Sequence, residues 1–345
     1  MEQYIRYGSA AKVPYYDCSV SNLTQDDWKK EGWVSYPAGT ACLTYGIVTE
    51  ILYLLAMVTI VKSGVMNQSA YKIMFVLGVY DMLALLVNAV GSGYFYLVGG
   101  IYCLYPDLQY IMGAFGFGMW CGASMTCLIL VLNRILDLWK PHIGELFFNG
   151  YRTWLILLIS LGYTLGVAFF SVPLAFHSAK LSWFFDPFIT ESNMERPEYH
   201  AEMHVVNNLG VVICTSILYV FLGFIVMTKY RTKQSKMTKG QKSFIIQSTV
   251  ICVVTLMADL GCVYMQFFPP PQWLVIATQV CWMGAHGIPA YVYIVLNRTV
   301  RKNMMRLVGL KDGAVGASLT GTGTRAPTHT ITTKEGSYVN HDIDA

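Results

Sequence analysis

Apolar runs close to membrane length recur almost from end to end of this chain, and no other feature restricts its fold so strongly. About 20 apolar residues in a helix cross the hydrocarbon core of a bilayer. Seven such segments can be drawn, at about 38–61, 73–98, 110–136, 154–176, 205–228, 244–268 and 273–296. Charged residues make up 13% of the chain and hydrophobic ones 54%, whereas soluble domains are about a quarter charged. The chain therefore reads as a polytopic membrane protein, with no large soluble core. The second segment carries Gly91, Gly93, Gly99 and Gly100 near its end, which softens its boundary. The first 37 residues are polar and mixed in charge, so the first apolar helix is expected to act as its own insertion signal.

Lys and Arg in the short loops set the expected orientation. Lys229, Arg231, Lys233, Lys236, Lys239 and Lys242 crowd the loop between the fifth and sixth segments, which holds no acid. Arg298, Arg301, Lys302 and Arg306 follow the seventh segment. The loops GGIYCLYPDL and FFPPPQ have no Lys or Arg, and the loop after the fourth segment is acidic, with Asp186, Glu191, Glu195, Glu198 and Glu202. The pattern predicts an outside N-terminus and a cytoplasmic C-terminus. The sequon Asn22-Leu23-Thr24 then lies outside and is a glycosylation candidate, while those at Asn67 and Asn297 fall inside and are expected to be unused.

RTVRKNMMRLVGL, after Asn297, places Val300, Met304 and Val308 at four-residue spacing, with its basic residues on the other side. That predicts an amphipathic helix on an anionic inner leaflet. The expected organisation is an extracellular tail at 1–37, a seven-transmembrane domain at 38–297, an amphipathic eighth helix at 298–310 and a disordered cytoplasmic tail at 311–345. The fold class is thus an all-α seven-helix membrane bundle. Its topology suggests a G-protein-coupled-receptor architecture, although topology alone leaves transporters and channels open.

Ionisable groups inside a membrane are costly, by about 2.5–3.5 kcal/mol at a helix centre on insertion scales, and each is a functional candidate. Arg134, in LILVLNRILDL, ends the third segment, where many such receptors carry Asp-Arg-Tyr. Here the triplet is Asn133-Arg134-Ile135. Asn133 supplies no acid, so a lock on the preceding residue is not expected. Arg134 reads as a signalling switch, with a snorkelling positive-inside anchor as the alternative. Asp81, in the second segment, reads as an ion and water site, or as a structural polar contact. Glu50, Asp259 and His286 are further intramembrane polar groups that are candidates for a ligand cavity. Pro289, which removes a backbone hydrogen bond, should kink the seventh segment. Tyr291 and Tyr293 follow it by two and four residues, not the three of Asn-Pro-x-x-Tyr, so Tyr293 is a switch candidate with an altered setting. Trp183, Phe184, Phe185 and Phe188 offer an apolar lid in the second outer loop, or packing on the bundle rim.

The nine cysteines are scattered with no CxxC pair. Rhodopsin-like receptors usually bridge a cysteine near position 103 to the second outer loop, which here contains none. Cys18 and Cys42 remain, and Cys18–Cys103 is the favoured pairing, with two free thiols as the alternative. The sequence has no HExxH, GxSxG or Walker loop and no clustered His/Cys set, so neither enzymatic activity, a cofactor nor a metal is expected. Nucleic-acid binding has no support beyond the basic loop, which membrane topology already explains.

Several strings carry a resemblance over nearly the whole chain: YKIMFVLGVYDM (71–82), YCLYPDLQYIMG (102–113), WCGASMTCLILVLNRILDLW (120–139), SWFFDPF (182–188), HVVNNL (204–209), FIIQSTVIC (244–252) and HGIPAYVYIVLNRTVR (286–301). They resemble the nematode serpentine receptors of class T. The resemblance implies a chemosensory receptor of the plasma membrane, in sensory neurons and their cilia, that binds an external small molecule and acts through a heterotrimeric G protein. Within that family the Asn-Arg pair and the altered seventh-segment motif are ordinary. The rival readings are a small-solute transporter, which should show inverted repeats, and an odorant-gated channel with its N-terminus inside.

Overall fold

A computed structural model describes residues 1–20, 23–189, 197–232, 238–307 and 309. The sequon at Asn22, Glu191, Glu195, Lys233, Lys236 and the tail at 311–345 lie outside the described residues.

Backbone amides in lipid find no water, so an apolar 20-mer satisfies them within itself as a helix. The first span is α3 (Tyr36–Lys62), preceded by two short helices, α1 (Glu2–Tyr7) and α2 (Gln25–Glu31). The second is α4 (Ser69–Leu85) continued by α5 (Ser92–Val98), and the third is α6 (Pro106–Trp139). After the short α7 (Pro141–Phe148) come α8 (Arg152–Phe170), α9 (Glu202–Thr232), α10 (Lys239–Phe267), α11 (Gln272–Leu296) and the terminal α12 (Arg298–Leu307). Six of the spans are long and apolar enough to cross a membrane by length and composition. The seventh, α11, has 25 residues, and its Thr278, Gln279 and His286 are buried.

The helices close into a bundle in which α6 is central, packing on α4, α8, α9 and α10, while α11 joins α10 to α3 and α4. Burial within the bundle covers 78% of the apolar window of α6 and only 22% of that of α9. Ile217, Val220 and Phe224 of α9 stand exposed, as side chains meant for lipid must. The second span is not a uniform helix: Leu86–Gly91 forms a π-helical turn between α4 and α5. Such turns re-aim side chains and recur at functional sites; this one carries the fully buried Asn88.

The fourth span ends at Phe170, six residues before the apolar run does. Pro173 has no amide hydrogen and pushes the residue before it toward extended backbone. Beyond it, β1 (Ala175–His177) pairs antiparallel with β2 (Ser182–Phe184) in the register Ala175↔Phe184, Phe176↔Trp183, His177↔Ser182. The hairpin lies on the end of the bundle, and Gly113 of α6 permits its close approach. A Cβ there would stand 1.7 Å from the Leu174 carbonyl oxygen.

Within the N-terminal tail, the described residues of 1–31 form a cap at the hairpin end. Thr24 and Asp27 make a capping box on α2. The Ala10 amide donates to Asp107 Oδ1 at 2.7 Å, and Cys18 is disulfide-bonded to Cys103. Tyr16 and Trp28 of this cap are buried with Tyr102, Tyr110, Phe188 and Tyr199 in one apolar cluster. At the opposite end, Asn297 is 3% exposed. Its Oδ1 accepts from the Val300 amide at 3.1 Å and so caps α12.

Candidate functional site

At the hairpin end the helices enclose a cavity of about 550 Å³, within the range typical of small-molecule sites. Its walls come from α6, α9, α10, α11 and the hairpin. Trp120 and Trp282 meet edge-to-face at its floor, 6.5 Å between centroids. Phe117, Phe185 and His204 form a second aromatic group, with Phe185 and His204 4.9 Å apart. Trp183 and Phe185, both expected at a lid, line the cavity. Glu50, Asp259 and His286 are not among the lining residues. Glu50 is half-buried on α3, and Asp259 is wholly enclosed with neither carboxyl oxygen partnered among the described residues.

The polar groups around the cavity hold one another. Trp183 Nε1 donates to Ser92 Oγ at 2.8 Å. Gln279 Nε2 donates to the Asn88 carbonyl at 3.0 Å, and Gln279 Oε1 accepts from Ser182 Oγ at 3.1 Å. The π-turn, the hairpin and α11 are thereby tied together. Asn208 Oδ1 accepts from Trp120 Nε1 at 2.9 Å and from Asn207 Nδ2 at 3.0 Å. The Asn208 amide therefore donates toward His204 Nε2, 3.0 Å away, which leaves the ring hydrogen on Nδ1.

Below the floor lies an enclosed polar group. Asp81 Oδ1 is 2.8 Å from His286 Nδ1, and Asp81 Oδ2 accepts from the Tyr53 hydroxyl at 2.6 Å. Three spans, α3, α4 and α11, meet there. His286 lies one turn after Trp282, and its ring is 5.5 Å from that of Trp120. The residue first considered for a ligand cavity is thus the partner of the Asp81 carboxyl. The reason is rotational: four residues past Trp282 on α11, the same face has already descended beneath the floor. Tyr293 packs edge-to-face on Tyr53 at 6.3 Å, with its hydroxyl unpartnered among the described residues. The helix α11 runs unbroken through Pro289.

At the far end Arg134 is buried, 8% exposed. Its guanidinium pairs with Asp137 Oδ2 at 3.0 Å, donates to Asn133 Oδ1, and lies 5.2 Å from the centroid of Phe244 on α10. Asn133 Nδ2 in turn donates to Ser69 Oγ at 3.2 Å. An acid does hold Arg134, one turn after it and not directly before it. The i, i+3 spacing in Arg134-Ile135-Leu136-Asp137 was the available signal. No sequence signal marked Tyr53, Asn208 or Phe244, because their partners lie on other helices.

Comparison with known proteins adds the following. The sequence profile of the serpentine type 7TM GPCR chemoreceptor family Srt matches residues 3–316. Serpentine receptor class T-55 of Caenorhabditis elegans is 22% identical over 305 residues, which is 87% of this chain and 82% of that protein.

Proposed function

The chain belongs to the Srt family of serpentine seven-transmembrane chemoreceptors, and from that premise we propose that it detects an external small molecule and signals through a heterotrimeric G protein. The observation that carries the reading is the aromatic cavity, whose floor rests on the buried Asp81 group. A molecule entering from the hairpin end meets Trp120 and Trp282. Any tilt of those rings presses on His286, and through Asp81 and Tyr53 it reaches three spans at once. Binding then shifts a two-state equilibrium that frees Arg134 from Asp137 and Phe244.

In this reading the hairpin end faces outward and the Arg134 end faces the cytoplasm at the plasma membrane, in sensory cilia. Arg134, with Lys229 and Lys242 of the basic loop, meets the G protein. The helix α12 lies on anionic lipid. Asn133, Pro289 and Tyr293 are the other members of the switch.

The test is a heterologous calcium or cyclic-nucleotide response to a panel of odorants, with Arg134→Ala as the control at matched surface expression. A panel-wide absence of response, or an Arg134→Ala receptor that signals like its parent, defeats the corresponding half of the proposal. An N-terminal tag reached only after permeabilisation reverses the orientation and restores the channel reading.

A further inference from the structure

The short helix between the third and fourth spans carries an apolar face that no described residue covers. The rotation of α7 (Pro141–Phe148) is set by its buried side. Gly144 packs on the end of α6, where a Cβ would stand 3.4 Å from Asp137 Oδ1, and Phe148 is buried in the core. Pro141 and Glu145 line a cleft beside Arg134 and Asp137. Leu146 and Phe147 are left 58% and 52% exposed, with Ile143 half-buried beside them. At about 100° per residue, the midpoint of Leu146 and Phe147 lies about 170° round the axis from that of Pro141 and Glu145. The helix therefore turns its acid toward the Arg134 cleft and its apolar face away. A G protein meeting Arg134 approaches the first of these faces, not the second.

Two observations indicate what covers the apolar face. One is continuity with lipid-facing surface. Asn149–Tyr151 alone join α7 to α8. Across that join the Thr153 hydroxyl donates to the Phe148 carbonyl at 2.6 Å, and Arg152 Nη1 donates to the Leu146 carbonyl at 2.7 Å. Leu146 and Phe147 thus adjoin the first turns of α8, a span of membrane length whose Leu155, Leu158 and Ile159 stand exposed. The other is the flanking chemistry. Trp139 and Lys140 precede the helix and Tyr151 and Arg152 follow it, all exposed. Lys140 Nζ lies 4.6 Å from the Trp139 ring centroid, and among the described residues no acid pairs with Lys140 or Arg152. Aromatic rings and cations at both ends of an apolar face match a membrane interface, and the cations favour anionic headgroups.

We propose that α7 is an inner-leaflet anchor. Ile143, Leu146 and Phe147 seat among the upper acyl chains, and Lys140 and Arg152 reach the phosphates of anionic phospholipid. The inference rests on the Arg134 end facing the cytoplasm, the side on which anionic lipid is concentrated.

The full-length chain tests this in nanodiscs of phosphatidylcholine, with or without phosphatidylserine. Each carries a phosphatidylcholine with a diazirine near the glycerol end of one acyl chain. Crosslinks are mapped by mass spectrometry, with Leu155–Ile159 as the lipid-facing reference. The expected result is crosslinking at residues 143–147 comparable to the reference and increased by phosphatidylserine. Leu146→Gln with Phe147→Gln should cut it about tenfold while the reference holds. Lys140→Gln with Arg152→Gln should erase the gain from phosphatidylserine. A parent crosslinked at the reference and not at 143–147 overturns the anchor, whether or not the variants fold. If Leu146→Gln with Phe147→Gln then also abolishes basal second-messenger output at matched surface expression, the face docks a protein instead. Crosslinking indifferent to either pair of substitutions overturns the role given to that pair. The two nanodisc leaflets have the same composition, so crosslinking does not depend on orientation. A failed anchor beside an N-terminal tag accessible on intact cells leaves the receptor reading standing. Crosslinking at 143–147 beside a tag reached only after permeabilisation overturns the inner-leaflet placement together with that reading.

Discussion

His286 Nδ1 lies 2.8 Å from Asp81 Oδ1, and each side chain is 1% exposed. The pair joins α11 to α4 across 205 residues of sequence, and Tyr53 closes it from α3. Removing one member of such a group leaves the other polar and enclosed. His286→Ala should cost about 3–5 kcal/mol, and Tyr53→Phe about 1.5–3 kcal/mol because the acceptor is a carboxyl group. Thermal unfolding in detergent measures both. A combined Asp81→Asn and His286→Ala variant should lose less than the two single losses added.

The Arg134–Asp137 pair holds the opposite end, with Asp137 39% exposed. Water screens that acid, so its hold is worth only about 0.5 kcal/mol. Asp137→Asn should therefore raise ligand-independent signalling by roughly twofold, measured as basal second messenger per receptor at the surface. Unchanged basal output would remove Asp137 as the resting-state restraint.

The Cys18–Cys103 bond closes a loop with a sequence separation of 85. The chain-entropy model bounds its worth at about 4–5 kcal/mol. Cys18→Ser should loosen the cap more than the spans, seen as faster amide exchange over residues 1–31 and in the Tyr16–Tyr102 cluster. A non-reduced digest should return the two cysteine peptides linked.

His177, in the hairpin, is driven down to about 4 by burial first and by Lys180 second. The unfolded chain binds a proton near 6.5, so between about 6.5 and 4 it takes up more protons than the folded one. The stability contributed by neutral His177 is therefore present above about 6.5 and is lost as pH falls toward 4, by at most about 3 kcal/mol. The melting temperature of the parent should fall across this window, and His177→Gln should flatten that part of the profile.

Gly113 admits the Leu174 carbonyl against α6. Gly113→Ala would set backbone against Cβ at 1.7 Å, which only movement of the hairpin relieves. Such overpacking costs about 1–3 kcal/mol. Ligand response should fall more than surface expression, because the hairpin is a wall of the cavity.

Much of the fold was legible in the chain. The seven apolar runs mark the seven spans, and the basic face of 298–307 marks α12, because segment length and helical period are local properties. The site was legible only in part. Trp183 and Phe185 could be placed at a lid from the loop they occupy. Glu50, Asp259 and His286 could not be assigned to a cavity, because a residue number on a helix does not say which way the helix is turned. Arg134 was found by its cost in lipid, and Asn133 ruled out an acid at the preceding position, but that its partner is Asp137, one turn on, came from the structure.

The sequence by itself determined that this chain spans a membrane as helices, since hydrocarbon leaves the backbone no other way to pair its polar groups. It also determined the family, through strings dispersed over nearly the whole length. Tertiary structure alone decided that Asp81 meets His286 and Tyr53, that the described residues among the first 31 fold into a cap, and that Trp282 meets Trp120 at the cavity. Each of these depends on the rotation and depth of one helix against another, which side-chain packing sets and no local pattern encodes.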